Sequence, residues 1–411
     1  MTESVIWSPI TGGITAPSGF KAAGLSAGLK PSGKPDLSLL LAPEAAVCAG
    51  TFTTSVVRAA CVDLCADRLQ VTSGRVRAVV TNSGQANACT GDRGLADSLL
   101  ITEAVADRLG LSQDEVLICS TGVIGVPIVI DPLLAAVDPL VSSLAPDGGG
   151  AAAQAILTTD LVEKQIALEA VLGGRRVRIG GMAKGSGMIH PNMATMLGYL
   201  SCDVAVPCDL WQDMVCRAVN RSFNAITVDG DTSTNDTFLA FAAGEPLPED
   251  QLEALEEGLT LVAQHLARSI ARDGEGATCL MEVQVEGTDS ETEARQIART
   301  ICGSSLVKTA VHGRDPNWGR IVAAAGRAGV AFDAGAVALW IGPHQLMSEG
   351  QPLPFDRATA AAYLSERACG EYLVDDTVQI RLSLGDGAGQ AIAWGCDLSD
   401  QYVRINADYT T

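Results

Sequence analysis

Thr195 stands between a stretch dense in glycine and an apolar run, a combination that can support nucleophilic chemistry. Residues 180–197 contain four glycines, one proline and a lone lysine. A threonine hydroxyl is a weak nucleophile unless a base lies beside it. If the peptide bond between Ala194 and Thr195 breaks, the freed α-amine has a pKa of about 7.7–8.0 and can act as that base. The residue types therefore allow a self-cleaving N-terminal nucleophile, although a plain loop before a strand is the commoner meaning of such a pattern.

Helices and strands must position this threonine, and the periodicity of apolar residues predicts both. The predicted segments are helices over 95–109, 210–219 and 290–301 and strands over 196–206, 279–285 and 378–384. Ser290 and Glu293 have the spacing of a capping box at the start of the third helix. Because helical and strand-like segments alternate along the chain, we expect an α/β or α+β fold.

Glycine-rich segments mark the predicted ends and connections of these elements. Gly110 predicts the end of the first helix. The segment 145–150 has the composition of a surface connection. Residues 385–387 read Gly-Asp-Gly and predict the turn of a hairpin between the strand over 378–384 and the apolar segment 391–394.

Composition and charge exclude several classes of protein. The chain has 411 residues, of which 47% are hydrophobic, so it can bury a large core and is not disordered as a whole. It carries 28 basic and 48 acidic side chains, a net charge of −20. Because this charge repels phosphate backbones and anionic lipids, we expect neither nucleic acid nor a membrane as a partner. Glu3 precedes the first basic residue, Lys21, unlike a secretory signal, so we expect a cytoplasmic protein.

Candidate metal ligands are present but lack the spacing of a metal site. The twelve cysteines include no Cys-x-x-Cys pair, and we expect them to be reduced and buried. The four histidines form no ligand motif. Oxygen-bearing side chains gather over 224–236, but their spacing does not fit a calcium loop. We therefore predict no metal, and assign turn-forming roles or the walls of an active site to Asn224, Asp229, Asp231, Asn235 and Asp236.

One long string around the threonine carries a family resemblance. The residues KGSGMIHPNMATML resemble the signature of the ornithine acetyltransferase family, also called glutamate N-acetyltransferase, of arginine biosynthesis. Further blocks resemble the family in the same order, namely ITAPSGFKAAGLSAGLK, NSGQANACTG, STGVIG, TTD, TVDGDTSTNDT, DGEGATC, HGRDPNWGRIVAAAG and NADYTT. These blocks cover essentially the full chain. The stretch 312–318, which lies in one of them, is expected to be a structural loop near the site.

The resemblance implies a fold and a processing event. The implied fold has two mixed sheets layered with helices, like the N-terminal-nucleophile fold of certain aminopeptidases and of this family, plus a smaller C-terminal α/β domain. Self-cleavage between Ala194 and Thr195 would give an α chain, 1–194, and a β chain, 195–411. Residues 195–280 would complete the catalytic core, and about 281–411 would form the C-terminal domain. Two α and two β chains would assemble into a heterotetramer.

The resemblance also assigns roles to individual residues. Thr195 is the implied nucleophile, with its α-amine as base, and Thr121 and Gly122 form the implied oxyanion hole. The implied substrate-binding residues are Thr159, Lys184, Thr195, Glu275, Asn406 and Thr411, with Thr158 almost equally suited to replace Thr159. Lys184 can pair with a carboxylate and Glu275 with an amine. Taken alone, both would be interpreted as solvated loop residues.

The implied reaction transfers acetyl from N-acetylornithine to glutamate through an acetyl-threonine intermediate. It needs no cofactor, and acetyl-CoA is left open as a second acetyl donor that would make the enzyme bifunctional. One alternative is a related N-terminal-nucleophile aminopeptidase or amidohydrolase, which shares the nucleophile. A second alternative is an unprocessed, non-catalytic relative that keeps only the shape of the family.

Overall fold

Three β-sheets covered by helices make up residues 5–190 and 196–408, the part of the chain that the computed structural model describes. The strands are, in chain order, β1 (Ser8–Ile10), β2 (Lys21–Leu25), β3 (Leu37–Leu41), β4 (Val47–Phe52), β5 (Ala78–Gln85), β6 (Val116–Val123), β7 (Lys164–Leu172), β8 (Arg175–Lys184), β9 (Leu197–Ala205), β10 (Thr237–Pro246), β11 (Leu280–Gly287), β12 (Ala338–Ile341), β13 (His344–Ser348), β14 (Gln351–Pro352), β15 (Thr377–Ser383) and β16 (Gly387–Cys396). The helices are α1 (Ala60–Val71), α2 (Gly91–Leu109), α3 (Ile130–Ser142), α4 (Gly149–Ala155), α5 (Cys208–Asn220), α6 (Leu252–Arg272), α7 (Glu291–Cys302), α8 (Ser305–His312), α9 (Trp318–Gly326), α10 (Arg357–Ala368) and α11 (Asp400–Ala407). The predicted class, mixed sheets layered with helices, is confirmed.

The first sheet has the strand order β2-β3-β5-β6 and ends at the parallel pair β5 and β6. The first five residues of β6 are buried, which explains why this strand is apolar until it reaches Ser120. Because β5 and β6 run in parallel, they end at the same edge of the sheet, where Gly84 pairs with Gly122. This edge holds the Ser-Thr-Gly block of the sequence.

The central sheet has the order β1-β7-β8-β9-β10-β4. The antiparallel pairing of β8 with β9 places Lys184, the last residue of β8, opposite Leu197, the first residue of β9. One face packs on the first sheet, where the Tyr199 hydroxyl and the Thr81 hydroxyl are 2.8 Å apart. The other face packs on α5 and α6, whose apolar residues join the same core. The predicted strand after Thr195 and the helix α5 are confirmed.

The third sheet, in the order β14-β13-β12-β15-β11-β16, corrects the predicted hairpin. β15 and β16 do not pair with each other, because β11 lies between them, parallel to β15 and antiparallel to β16. The connection crosses the end of β11, where a Cβ on Gly287 would lie 2.3 Å from the carbonyl oxygen of Gly385. The glycines therefore allow two backbone segments to cross closely. In the sequence, the same glycines resemble the signal for a tight turn. All strands of this sheet lie after residue 279, while the predicted domain bounds stay predictions.

Three further local predictions have different outcomes. The helix α2 ends at Leu109 before Gly110 with a φ of +67°, so this helix end is confirmed. The Ser290 hydroxyl accepts the Glu293 amide at 3.3 Å at the start of α7, which confirms the Ser290 half of the predicted capping box. The surface connection at 145–150 is wrong in part, because α4 begins within it at the buried Gly149. At Gly148 a Cβ would lie 1.8 Å from the carbonyl oxygen of Ala22, so this glycine allows α4 to approach β2.

All twelve cysteines are free, and eight of them are buried. The expectation of buried thiols is wrong for Cys89 and Cys369, which are exposed. Within residues 5–190 and 196–408, none of the helices combines the length and the apolar character needed to cross a bilayer.

Candidate active site

A cavity of about 300 Å³ opens where the ends of β6 and β8 meet the segment 233–236 and the helix α11. Of the residues predicted for the site, those in the described part of the chain all line this cavity: Thr121, Gly122, Thr158, Thr159, Lys184, Glu275 and Asn406. Ala194, Thr195 and Thr411 lie outside the described residues. Met196, the neighbour of Thr195, also lines the cavity. Residues from five distant parts of the sequence therefore meet at one place.

Thr121 and Gly122 lie at the cavity because they are near the C-terminal end of β6. The Lys184 ammonium donates a hydrogen bond to the Thr121 hydroxyl at 3.2 Å. Gly122 has a φ of +131°, and a Cβ built there would lie 2.3 Å from the carbonyl carbon and oxygen of Gly84. Only glycine permits this approach of two backbones, so the end of β6 has a fixed conformation.

Replacing Gly122 with alanine should lower the free energy of unfolding by about 2 kcal/mol more than the same change at Gly125. Both glycines have a positive φ, but a Cβ at Gly125 meets nothing within 4 Å, so that variant carries the backbone strain without the clash. Urea unfolding of the two variants measures the difference. Equal losses at the two positions would show that Gly84 moves freely and that this edge is not rigid.

Lys184 is a buried cation surrounded by acids, contrary to the solvated position that a loop lysine would occupy. Burial lowers the pKa of its ammonium group, while the carboxylates of Asp160, Asp236 and Glu275 act in the opposite direction. A buried ammonium of this kind attracts an anionic group of a ligand strongly, since little water competes with it.

An ion-pair network beneath the cavity fixes the two segments that carry Thr159 and Lys184. Lys164 Nζ lies 2.7 Å from Asp160 Oδ1 and 2.6 Å from Asp273 Oδ2. Asp160 also accepts the amides of Thr158 at 3.0 Å and of Gly185 at 2.7 Å. Burial alone would raise the pKa of Asp160, but the ammonium groups of Lys164 and Lys184 hold it well below its usual range. Asp160 therefore acts as a positioning residue that joins the two segments.

Sequence reasoning missed this network, although a signal was available. The TTD block was read for its threonines, while its aspartate carries the contacts. Asp160 and Lys164 are four residues apart with Leu161, Val162 and Glu163 between them, and β7 begins at Lys164. A charged pair at the entrance of a buried strand indicates an internal ion pair, because an unpaired charge there would be costly.

Glu275 and Asn406 close the cavity from the C-terminal side. Asn406 Nδ2 donates to Glu275 Oε2 at 2.7 Å, and Glu275 is buried. A Cβ at Gly187 would lie 2.6 Å from the Glu275 carboxyl group, so the glycine allows this carboxylate to lie against the backbone. The helix α11, capped by Ser399, presents Asn406, so this part of the tail is ordered by contact rather than frayed.

Two residues of the oxygen-rich segment 224–236 also belong to the cavity wall. Asn235 Nδ2 donates to the carbonyl oxygens of Ser120, at 2.8 Å, and of Ala86, which fixes the segment against β6. Asp236 is buried, and burial raises its pKa well above the usual range. Its carboxyl group lines the cavity.

The other members of that segment, and the stretch 312–318, support the site from outside. Asp229 accepts the amides of Met188 at 2.6 Å and Ile189 at 2.9 Å, which joins two segments, and the amide of Asp231 at 3.1 Å, which is the turn-forming role expected for it. The stretch 312–318 joins α8 to α9 and does not line the cavity. Its Arg314 donates to the Thr278 hydroxyl at 3.0 Å, three residues after Glu275.

Comparisons with known proteins show which family this chain resembles. The ArgJ family matches residues 21–411. The "Arginine biosynthesis bifunctional protein ArgJ" of Prochlorococcus marinus strain MIT 9313 is 72% identical over 99% of this chain and 95% of its own length. The protein of the same name from a Synechocystis strain is 58% identical over 98% of this chain and 99% of its own. A crystal structure of ornithine acetyltransferase complexed with ornithine, from Mycobacterium tuberculosis, is 44% identical over 46% of this chain and 100% of its own, with a TM-score of 0.43.

The family match and the two Prochlorococcus and Synechocystis relatives cover nearly the whole chain and define its class, an acyltransferase of arginine biosynthesis. The chain belongs to the ArgJ family.

Proposed function

We propose that this enzyme transfers an acetyl group from N-acetylornithine to glutamate, releasing ornithine and forming N-acetylglutamate. The observation that carries the proposal is the cavity of about 300 Å³, because the residues that the family resemblance assigns to catalysis and binding meet there. Thr121, Gly122 and Lys184 come from two strands, and Glu275 and Asn406 come from the C-terminal half. The names of the relatives, arginine biosynthesis bifunctional protein, support the same reaction.

The proposed chemistry begins with cleavage between Ala194 and Thr195. The Thr195 hydroxyl oxygen then attacks the acetyl carbonyl carbon of N-acetylornithine, and its proton passes to the α-amine of Thr195. The Thr121 hydroxyl and the Gly122 amide donate hydrogen bonds to the oxyanion that forms. When the carbon–nitrogen bond breaks, the ornithine amine leaves with the proton from the α-amine, and an acetyl ester remains on Thr195.

The second half of the proposed reaction reverses these steps with a new amine. The amine of glutamate attacks the acetyl ester, one of its protons passes to the α-amine, and that proton returns to the Thr195 oxygen as the ester bond breaks. The product is N-acetylglutamate. Water must be kept from the ester, since hydrolysis would release acetate instead.

We propose that Lys184 binds the substrate carboxylate and Glu275 the ammonium group. The buried position of both residues supports this, because a charge pair that is shielded from water holds a ligand more firmly. Thr159, Asn406 and Thr411 are proposed to add neutral hydrogen bonds.

Replacing Glu275 with glutamine should raise KM for N-acetylornithine about tenfold with a smaller change in kcat. Glutamine preserves the shape of the side chain but removes the charge that would pair with the substrate amine. Steady-state kinetics with both substrates test this, and Glu257→Gln, on an exposed part of α6, is the matched control. An unchanged KM in the Glu275 variant would remove this residue from the binding site.

We further propose the cofactor requirement, the partners, the assembly and the location of the enzyme. The nucleophile and the base belong to one residue, so the reaction calls for no cofactor, and acetyl-CoA is proposed as a substrate in a second activity. A net charge of −20 supports small-molecule substrates rather than nucleic acid or membrane partners. The assembly is proposed to be a heterotetramer of two α chains, 1–194, and two β chains, 195–411, in the cytoplasm.

One assay tests the proposed reaction against its rivals. Purified protein is incubated with N-acetylornithine, with and without glutamate, and N-acetylglutamate and acetate are both measured. We expect N-acetylglutamate in excess over acetate when glutamate is present. Acetate as the main product in both cases would instead identify an amidohydrolase that shares the nucleophile, and neither product would indicate a non-catalytic relative.

A further inference from the structure

A second cavity, of about 680 Å³, lies outside the candidate active site and is lined by arginines. Arg295 and Arg299 reach it from α7, and Arg327 reaches it from the residue directly after α9. The hydroxyls of Thr232 and Thr300 also line it. Among the described residues, its lining contains no aspartate or glutamate. This cavity is therefore basic in a chain whose net charge is −20.

Two arginines of this cavity, Arg295 and Arg299, lie close to each other, at a cost. Arg295 and Arg299 are four residues apart in α7, so they project from the same face of the helix, where like charges repel. Burial lowers the pKa of the Arg299 guanidinium, and the neighbouring Arg295 lowers it further. Glu291 lies 3.1 Å from Arg295 Nη1 but also pairs with Arg221, at 3.2 Å. Glu291 therefore divides one negative charge between two arginines and neutralises Arg295 only in part.

We propose that this cavity binds a small molecule through its phosphate groups. A guanidinium group presents parallel N–H donors that match two oxygens of a phosphate, and arginine is preferred over lysine where such recognition is needed. The Thr292 hydroxyl, which also lines the cavity, can supply a further donor, while the hydroxyls of Thr232 and Thr300 donate to the carbonyl oxygens of His190 and Gln296. A bound phosphoanhydride would offset the repulsion between Arg295 and Arg299, which gives the binding a favourable electrostatic term.

The two cavities share a wall, which relates the phosphate site to the proposed reaction. Ile189 and Ser233 line the candidate active site. Their direct neighbours in the chain, His190 and Thr232, line the arginine cavity. The two segments are joined by a hydrogen bond of 2.9 Å from the Thr232 hydroxyl to the His190 carbonyl oxygen. Two sources of phosphate are therefore to be distinguished: acetyl-CoA, an assignment that rests on the proposed function, and a free phosphate ligand.

Isothermal titration calorimetry of the full protein with sodium pyrophosphate, at constant ionic strength, tests the site. We expect saturable binding at one site per chain, weakened at least tenfold in Arg295→Gln and about threefold in Arg327→Gln, which is the more exposed position. Arg176→Gln is the matched control, because its side chain is 74% exposed and lies on β8, outside this cavity. Thermal unfolding curves of all three variants check that each is folded.

Competition separates the two sources. If coenzyme A displaces pyrophosphate and Arg295→Gln raises KM for acetyl-CoA but not for N-acetylornithine, the phosphates of the acetyl donor occupy the site. If coenzyme A does not compete while pyrophosphate binds, the site belongs to a free phosphate ligand. Absence of saturable pyrophosphate binding, or affinity unchanged in both arginine variants, would overturn the proposal. Pyrophosphate binding by a protein that transfers no acetyl group would overturn the proposed function alone.

Discussion

Replacing Thr195 with alanine should leave the chain uncut and lower the rate of acetyl transfer by about 10⁴-fold or more. Alanine has no oxygen to attack the preceding carbonyl, so neither the cleavage nor the acetyl ester can form. A denaturing gel should show one band near 42.5 kDa. The rate of N-acetylglutamate formation from N-acetylornithine measures the loss of transfer.

Two further variants control this experiment. Thr195→Ser keeps the hydroxyl but loses the β-methyl group that restricts χ1, so it should still be cut and should transfer acetyl at a reduced rate. Thr309→Ala removes a threonine from the exposed surface of α8 and should change neither result. Undiminished transfer by Thr195→Ala would contradict the assignment of the nucleophile.

Replacing Lys164 with methionine should lower the free energy of unfolding by about 3–5 kcal/mol. The ammonium group of Lys164 is buried and bonded to Asp160 and Asp273, so its removal leaves two buried carboxyl groups without their cation. Methionine is similar in length and avoids a large cavity, which limits the loss to the charge. Urea denaturation measures it, and Lys34→Met, at an exposed position, is the control.

The loss at Lys164 should also depend on pH. The pKa of Asp160 is lower in the folded protein than its unfolded value of about 3.9, so its contribution to stability is complete above that value and is lost as the pH falls further. Burial raises the pKa of Asp273 and Lys164 acts against that rise, so the pKa of Asp273 should rise further in Lys164→Met. Because the two carboxyl groups should take up protons at a higher pH in the variant than in the wild type, the gap in stability between the wild type and Lys164→Met should narrow as the pH falls through the acidic range. A gap that is constant with pH would mean that the methionine disturbs packing rather than charge.

Local sequence patterns predicted the elements better than their arrangement. The helices α5 and α7 were visible because their apolar residues recur on one face and a polar cap marks the start of α7. The position of β11 between β15 and β16 was not visible, since strand pairing depends on contacts far apart in the sequence. A Gly-Asp-Gly segment has the same sequence whether the next strand pairs with the preceding one or crosses over to the far side of a third strand.

In the candidate site, too, local sequence patterns identified single residues, while their three-dimensional arrangement was not visible in the sequence. Lys184 and Glu275 were identified through motifs, and the structure adds that they are buried and share one cavity. The ion pair between Asp160 and Lys164 could be suspected from spacing, but its third member, Asp273, lies 109 residues from Lys164 and comes near only through the packing of α6 on β7. The arginine cavity likewise depends on tertiary packing, since Arg327 joins Arg295 only through the contact of α9 with α7.

Mass spectrometry of the purified wild-type protein, before and after incubation with N-acetylornithine alone, probes the central claim most directly. The account predicts two fragments, one ending at Ala194 and one beginning at Thr195, and an increase in the mass of the second fragment by one acetyl group located on its first residue. Addition of glutamate should remove that acetyl group. An intact chain of 42.5 kDa, or an acetyl group carried by any other residue, would contradict the account.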